Sequence, residues 1–370
     1  TDDVMNISRA LQGFGAALIK PSALTIVMTL FVHDEKELNK ALGFWGASAA
    51  AGGSAGVFLG GVITQWLDWP WIFFIYVPLG LIVLCYSPML IRKSEKRSGG
   101  VDILGALSVT GSIMLAVYAI VQAEHIGWGS MQTIGLLIGA LVLLVLFLII
   151  QKVRKEPLVP LRIFSAPNLF VGNVVTALLA GAWIPLWYFL NLYLQQVLQF
   201  SALAGGLALL PMTLAIMVLM VGFAGKLIGK FGFKPNLVVG MLALGAALFW
   251  FALVPTDGSF LRDVLPASLL AAVGMALSYI PATIASMSGA KPEETGLASG
   301  IVNTSYQIGS ALGLAAMVAV SSAWTKGQLS LGAPHIVSLN SGFQAAFIWA
   351  GVIAIVGALI ALIGLRQSKG

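Results

Sequence analysis

Two basic side chains, Arg9 and Lys20, stand inside long apolar stretches of this sequence. They are eleven residues apart, three turns of a helix, so they fall on one face together with Gly13 and Ala16. A charge at mid-bilayer costs about 3 kcal/mol or more, which makes each intramembrane charge a functional candidate. Lys20 directly precedes Pro21, where a helix loses a rung of its hydrogen-bond ladder. The expected site pairs Arg9, Gln12 and Lys20 with uncharged polar and aromatic residues further along: Trp187, Asn191 and Gln195, then Asn303, Tyr306 and Gln307. Trp183, Tyr188 and Gln196 neighbour that set. Adaptable aromatic walls with a few polar groups suit bulky amphiphiles.

Other chemistry finds no support. Residues 52–56, GGSAG, fit the G-x-S-x-G pattern, but a nucleophile elbow needs a strand-to-helix turn and a histidine partner. No G-x-x-x-x-G-K-[ST] loop occurs, so nucleotide hydrolysis is not expected. The single cysteine, Cys85, cannot form a disulfide framework, and His33, His125 and His335 lie too far apart in sequence to suggest a metal cluster. No catalytic residue, metal site or cofactor is expected. Proton coupling needs a group that titrates within the membrane, yet every Asp and Glu falls at the end of an apolar run or between runs.

The elements that must position these residues follow from composition. Of 370 residues, 59% are hydrophobic and 9% charged, with a mean hydropathy of +0.96. A bilayer core about 30 Å thick takes about 20 apolar residues per helix. Eleven such runs are expected, near 5–31, 41–65, 71–91, 102–122, 131–151, 168–198, 203–228, 235–255, 264–288, 296–323 and 342–365. Alternating short segments, the mark of a membrane barrel, are missing. The fold class is all-α and polytopic. The net charge of +6 does not argue for nucleic acid, because 16 of the 20 Lys and Arg residues lie in alternate loops. These include Lys36, Lys40, Arg92, Lys93, Lys226, Lys230, Lys234, Lys291 and Arg366. The positive-inside rule puts those loops and the C-terminus in the cytoplasm of a plasma-membrane protein.

The chain also carries a copy of itself. Gly52, Gly56 and Gly60 form a small-residue stripe of the kind that packs helices in lipid. A shift of 257 residues turns Gly43, Gly52 and Gly56 into Gly300, Gly309 and Gly313. With a slip, GAALIKPSA (residues 15–23) matches GMALSYIPA (residues 274–282), which pairs Pro21 with Pro281. The expected units are a partial N-terminal bundle of three spans (1–91), a linker with an inserted two-helix hairpin (92–167), a six-helix C-terminal bundle (168–366) and a cytoplasmic tail (367–370). Parallel repeats with a site between them are one organisation of secondary transporters. On this arithmetic three helices are expected ahead of Thr1, the eleven runs being part of fourteen.

These residues resemble the major facilitator superfamily, and within it the fourteen-span drug:proton antiporter branch. RALQG (Arg9 to Gly13) is similar to its fourth-helix signature, and GVFLGG (Gly56 to Gly61) to the end of its fifth-helix antiporter motif. WPWIF (Trp69 to Phe73) with VPLG (Val77 to Gly80) resembles the start of its sixth helix. GKLIGKFG (Gly225 to Gly232) resembles the basic loop of the second half, with Lys234 close behind, and Gly296 to Gly313 its penultimate helix. Val57 stands where the antiporter motif has proline, and Gly229 where the basic loop has an acid.

The resemblance implies a two-bundle, proton-coupled multidrug exporter, monomeric and multi-pass, whose partners are protons, small amphiphiles and the lipid bilayer. It places an acid in the first helix, ahead of this sequence. Gly13, Pro21, Gly52, Gly56, Gly60, Pro281, Gly300, Gly309 and Gly313 would serve packing and gating, and Gly225, Lys230, Gly232 and Lys234 a cytoplasmic gate loop. Alternatives are export of one dedicated metabolite or lipid, and a non-transporting receptor with the same fold.

Overall fold

Inside lipid the backbone must satisfy its own hydrogen bonds, so apolar runs of this length become helices. The computed structural model describes residues 2–31, 34–67, 70–90, 102–291 and 294–366. It contains eleven helices long and apolar enough to cross a membrane. The basic run at 92–97, Trp69, His33 and the tail at 367–370 lie outside the described residues.

Helix α1 spans Asp2–Leu30, α2 Glu35–Trp66, α3 Trp71–Phe74 and α4 Tyr76–Leu90. Helices α5 (Ile103–Ile126) and α6 (Met131–Val153) form an antiparallel pair. Six further spans are built from α7 (Leu169–Leu192), α8 (Ala202–Leu219), α9 (Gly225–Phe231), α10 (Phe233–Phe251), α11 (Leu265–Met287), α12 (Thr295–Ser330) and α13 (His335–Gly364). Local signals set the starts: Asp34 accepts from the amides of Lys36 and Glu37, Ser130 from that of Thr133 and Ser201 from that of Ala204. Gly232, at φ +81°, turns the chain from α9 into α10, a conformation that disfavours residues with a side chain. Three helices outrun their apolar cores, α13 among them, since it begins at His335. α2 begins at Glu35 and α12 continues to Ser330, because polar ends extend a helix that hydropathy alone cannot trace.

Helix α7 is the axis of the larger bundle, in contact with α11, α12 and α13. Its Leu179, Leu186 and Leu190 are fully enclosed, and Phe189 packs on Phe343 and Phe347 at 5.6 and 6.3 Å. The closest crossings fall at glycine. A Cβ on Gly309 or Gly313 would overlap the backbone of Ala177 and Gly181 on α7, and one on Gly274 would stand 2.6 Å from Leu244 N on α10. Helices α1 and α2 lean on this bundle, α1 against α12 and α2 against α8.

The stripe expected to pack α2 is not the one that does. Gly52, Gly56 and Gly60 face open space among the described residues, as do Gly13 and Gly300. Gly43 and Gly61 make the contact with α8, where a Cβ would lie 2.8 Å from Met220 O and 2.9 Å from Ala202 O. The physical reason is that α2 carries small residues nearly all round. Spacing identifies a small-residue face without choosing between two of them.

The hairpin α5–α6 is tied to the linker by one carboxylate. Asp102 caps α5 through Gly105 N at 2.9 Å and accepts from Gln151 Nε2 at 2.8 Å, Arg154 at 2.8 Å and Leu158 N at 3.3 Å. Helix α5 in turn packs on α12. The amide of Gly105 foremost, with Gln151, Leu158 and Arg154 behind it, holds the Asp102 carboxyl below its ordinary value, against the opposing effect of burial.

Two outcomes are expected. Gly309→Val overpacks the α7–α12 crossing, costs about 1–3 kcal/mol, and lowers the thermal midpoint in detergent by several degrees, whereas Gly52→Ala leaves it unchanged or higher. For Asp102 the folded state binds its proton less readily than the unfolded chain. Its contribution is therefore complete above the usual carboxylate range and is lost as pH falls through its lowered folded value. Corrected for the intrinsic slowing of exchange at low pH, amide protection at 103–106 and 154–158 should fall on acidification in the native protein, and already at neutral pH in Asp102→Asn.

Candidate functional site

Helix α1 enters the interior near Pro21, which has no N–H to donate to Ala17 O. The carbonyl of Pro21 accepts from Thr25 Oγ1 at 2.8 Å and lies 3.2 Å from Ser299 Oγ on α12; the two hydroxyls stand 2.6 Å apart. This polar knot clamps α1 to α12. One residue before it, Lys20 projects into the space between the two bundles.

That space has two adjoining parts. The larger, of 280 Å³, is lined by Lys20, by Gly46, Ala49 and Gly53 of α2, by Trp183 and Trp187 of α7, and by Met275, Tyr279 and Tyr306. The smaller, of 20 Å³, is shared by Lys20, Tyr279 and Tyr306 with Trp45, Asn303 and Thr176 among others. Aromatic pairs frame the volume: Trp183 meets Trp187 edge-on at 6.1 Å, and Tyr279 meets Tyr306 at 6.0 Å and 89°. Met220 adds a polarizable wall. It opens a π-helical turn (Met220–Ala224) that widens α8 where α2 crosses it, and such turns are frequent at functional sites.

Lys20 is, among the described residues, the one charged residue lining either part. Among the described residues no carboxylate pairs with it, and its Nζ stands 5.9 Å from the Tyr306 ring centre. A cation–π contact at that range is worth about 0.5–1 kcal/mol, well short of the 3 kcal/mol or so that a mid-membrane charge costs. No described residue neutralises the ammonium, whose side chain is exposed.

Of the residues expected at a site, Lys20, Trp187, Asn303, Tyr306 and Gln307 line this space, Asn303 also donating to Ser299 O at 2.9 Å. Arg9 and Gln12 do not. Arg9 donates to Gln12 at 2.9 Å and lies over the Phe73 ring at 4.7 Å, joining α1 to α3. The eleven-residue spacing holds, but Phe73 captures the guanidinium. Asn191 and Gln195 bond to each other at 2.9 Å near the end of α7, beside Gly205 of α8.

The basic loop has its own geometry. Gly225 lines an open groove of 780 Å³ with Lys36, Lys40 and Lys226; Lys230 sits over the Phe231 ring; and Lys234 caps the end of α13 through Leu365 O at 2.7 Å. Sequence reasoning left out Tyr279, Trp45, Met220 and Met275. For Tyr279 a signal was present: with GAALIKPSA and GMALSYIPA laid together without the slip, it occupies the place of Lys20.

The chain matches the Major Facilitator Superfamily over residues 4–314. It is 32% identical to the cephamycin export protein of Amycolatopsis lactamdurans, over 89% of this chain and 68% of that one. It is also 32% identical to the puromycin resistance protein of Streptomyces alboniger, over 88% and 65%, and to the tetracenomycin C resistance and export protein of Streptomyces glaucescens, over 84% and 57%. The chain thus spans 57 to 68% of the length of these curated relatives.

If the aromatic frame holds ligand, Trp187→Ala and Tyr279→Ala each weaken binding of the neutral fluorophore N-phenyl-1-naphthylamine by about three- to tenfold. Gln195→Ala and Arg9→Ala should change it less than twofold. Fluorescence titration of purified protein checks both.

Proposed function

We propose that this chain, which belongs to the Major Facilitator Superfamily, is a drug-efflux transporter that moves amphiphilic antibiotics and related compounds across the plasma membrane in exchange for protons. The observation that carries the reading is the aromatic, singly charged space between two groups of helices that share an internal repeat. A site at such an interface suits alternating access, in which one bundle rocks against the other. The names of the relatives, for export of cephamycin or resistance to puromycin and tetracenomycin C, support an antibiotic or antibiotic-like cargo.

Gradient-driven exchange fits a sequence without a nucleotide-binding loop. The Gly43–Met220 and Pro21–Ser299 contacts lie beside the cavity and would be the hinges that loosen and reform. In this reading the chain is not an enzyme, and its C-terminus and basic loops face the cytoplasm.

The test uses everted membrane vesicles with an inside-acid gradient, challenged with a panel of amphiphilic antibiotics. Exporter activity predicts dissipation of the gradient on substrate addition, lost when Trp183 and Trp187 are both changed to Ala. No dissipation across the panel, with the protein inserted at normal levels, would turn the reading to uniport of one metabolite or to a receptor.

A further inference from the structure

We infer that the compounds this site selects are aromatic monoanions: a flat apolar body carrying one carboxylate or phenolate. The inference rests on the efflux reading and deepens it by naming the substrate class. Three observations combine. The Lys20 ammonium is the sole formal charge on the cavity lining, and no described carboxylate answers it. The walls that surround it are rings, with Trp183 and Trp187 on one side and Tyr279 and Tyr306 on the other. The amide of Gln307 opens onto the same volume and makes no hydrogen bond to another described residue, so it can donate to a second oxygen of the same acid group.

A charged group beside an apolar aromatic wall discriminates by sign, although the Lys20 side chain is itself exposed. An anion reaching Lys20 forms a charge-assisted hydrogen bond that the protein itself leaves unmade, and the cavity water released leaves ring against ring. A lipophilic cation meets the opposite situation, since no described residue of the lining offers a negative charge and Lys20 repels it. A neutral amide of the same shape keeps the stacking and loses the ion pair. The order of preference is therefore acid, then amide, then amine. The volume of 280 Å³ accommodates a ring system with one substituent.

The decisive experiment compares three ligands of one shape, 1-naphthoate, 1-naphthamide and 1-naphthylmethylamine, by quenching of tryptophan fluorescence at pH 7 in the full chain reconstituted in nanodiscs. The expected result is acid binding at least tenfold tighter than amide, with the amine weakest. Lys20→Gln should bring acid and amide within about twofold, and Lys20→Arg should restore the preference, which separates lost charge from lost fold.

Equal binding of acid and amide by the unaltered protein overturns the proposal, as does an acid preference that survives Lys20→Gln. Tight binding of amide and amine without the acid overturns it too, while leaving the efflux reading intact. Binding of none of the three overturns both this proposal and the assignment of the cavity as the transport site.

Discussion

Where the surrounding medium is as apolar as the side chains, burial gains little, and helices hold together by how closely their backbones approach. In this chain that constraint decides the whole arrangement. Gly309 and Gly313 let α12 lie against α7 at Ala177 and Gly181, Gly274 lets α11 lie against α10, and Gly43 and Gly61 let α2 lie along α8. Each contact fixes a pair of helices too near for any intervening side chain. The large residues are displaced to where the helices part, so the rings of Trp183, Trp187, Tyr279 and Tyr306 collect between the bundles. The cavity is the complement of the glycine contacts.

The internal repeat explains how that cavity acquires its character. Under the shift of 257 residues, Gly46 and Ala49 of α2 correspond to Asn303 and Tyr306 of α12, and all four line the same space. One copy supplies room where the other supplies polar and aromatic groups. Lys20 stands one residue ahead of Pro21 and Tyr279 two ahead of Pro281, one a charge and the other a ring, and both line this space. Two copies with identical residues would give either a crowded axis or an empty one. Their divergence at corresponding positions builds a lined pocket on a symmetric frame.

Much of the architecture could be read from hydropathy and glycine spacing, because apolar length sets helices and both signals are local. All eleven runs are helices, and the pairing of α5 with α6 follows from their short connection. What spacing could not reveal was rotation about an axis. Gly52, Gly56 and Gly60 share a face as expected, but α8 lies on another side of α2. Arg9 and Lys20 likewise share a face of α1, yet the first is drawn to Phe73 and only the second reaches the cavity. Gln195 donates to Asn191, and neither lines the space around Lys20. Which of several equivalent faces meets a neighbour depends on tertiary packing, and only Tyr279 had left a trace of it, through the repeat.

The solitary ammonium has an electrical consequence under the proposed mechanism. A charge carried fully across a membrane couples to its voltage by about 2.3 kcal/mol per 100 mV. With a monoanion in place, Lys20 and its cargo form a neutral pair, and the loaded carrier turns almost without regard to the field. Once the cargo has left and a proton has taken its place, Lys20 stands uncompensated and the returning carrier is the more positive form. An interior-negative potential then pulls that proton-loaded form inward, so voltage acts on the resetting of the cycle more than on the delivery of the load.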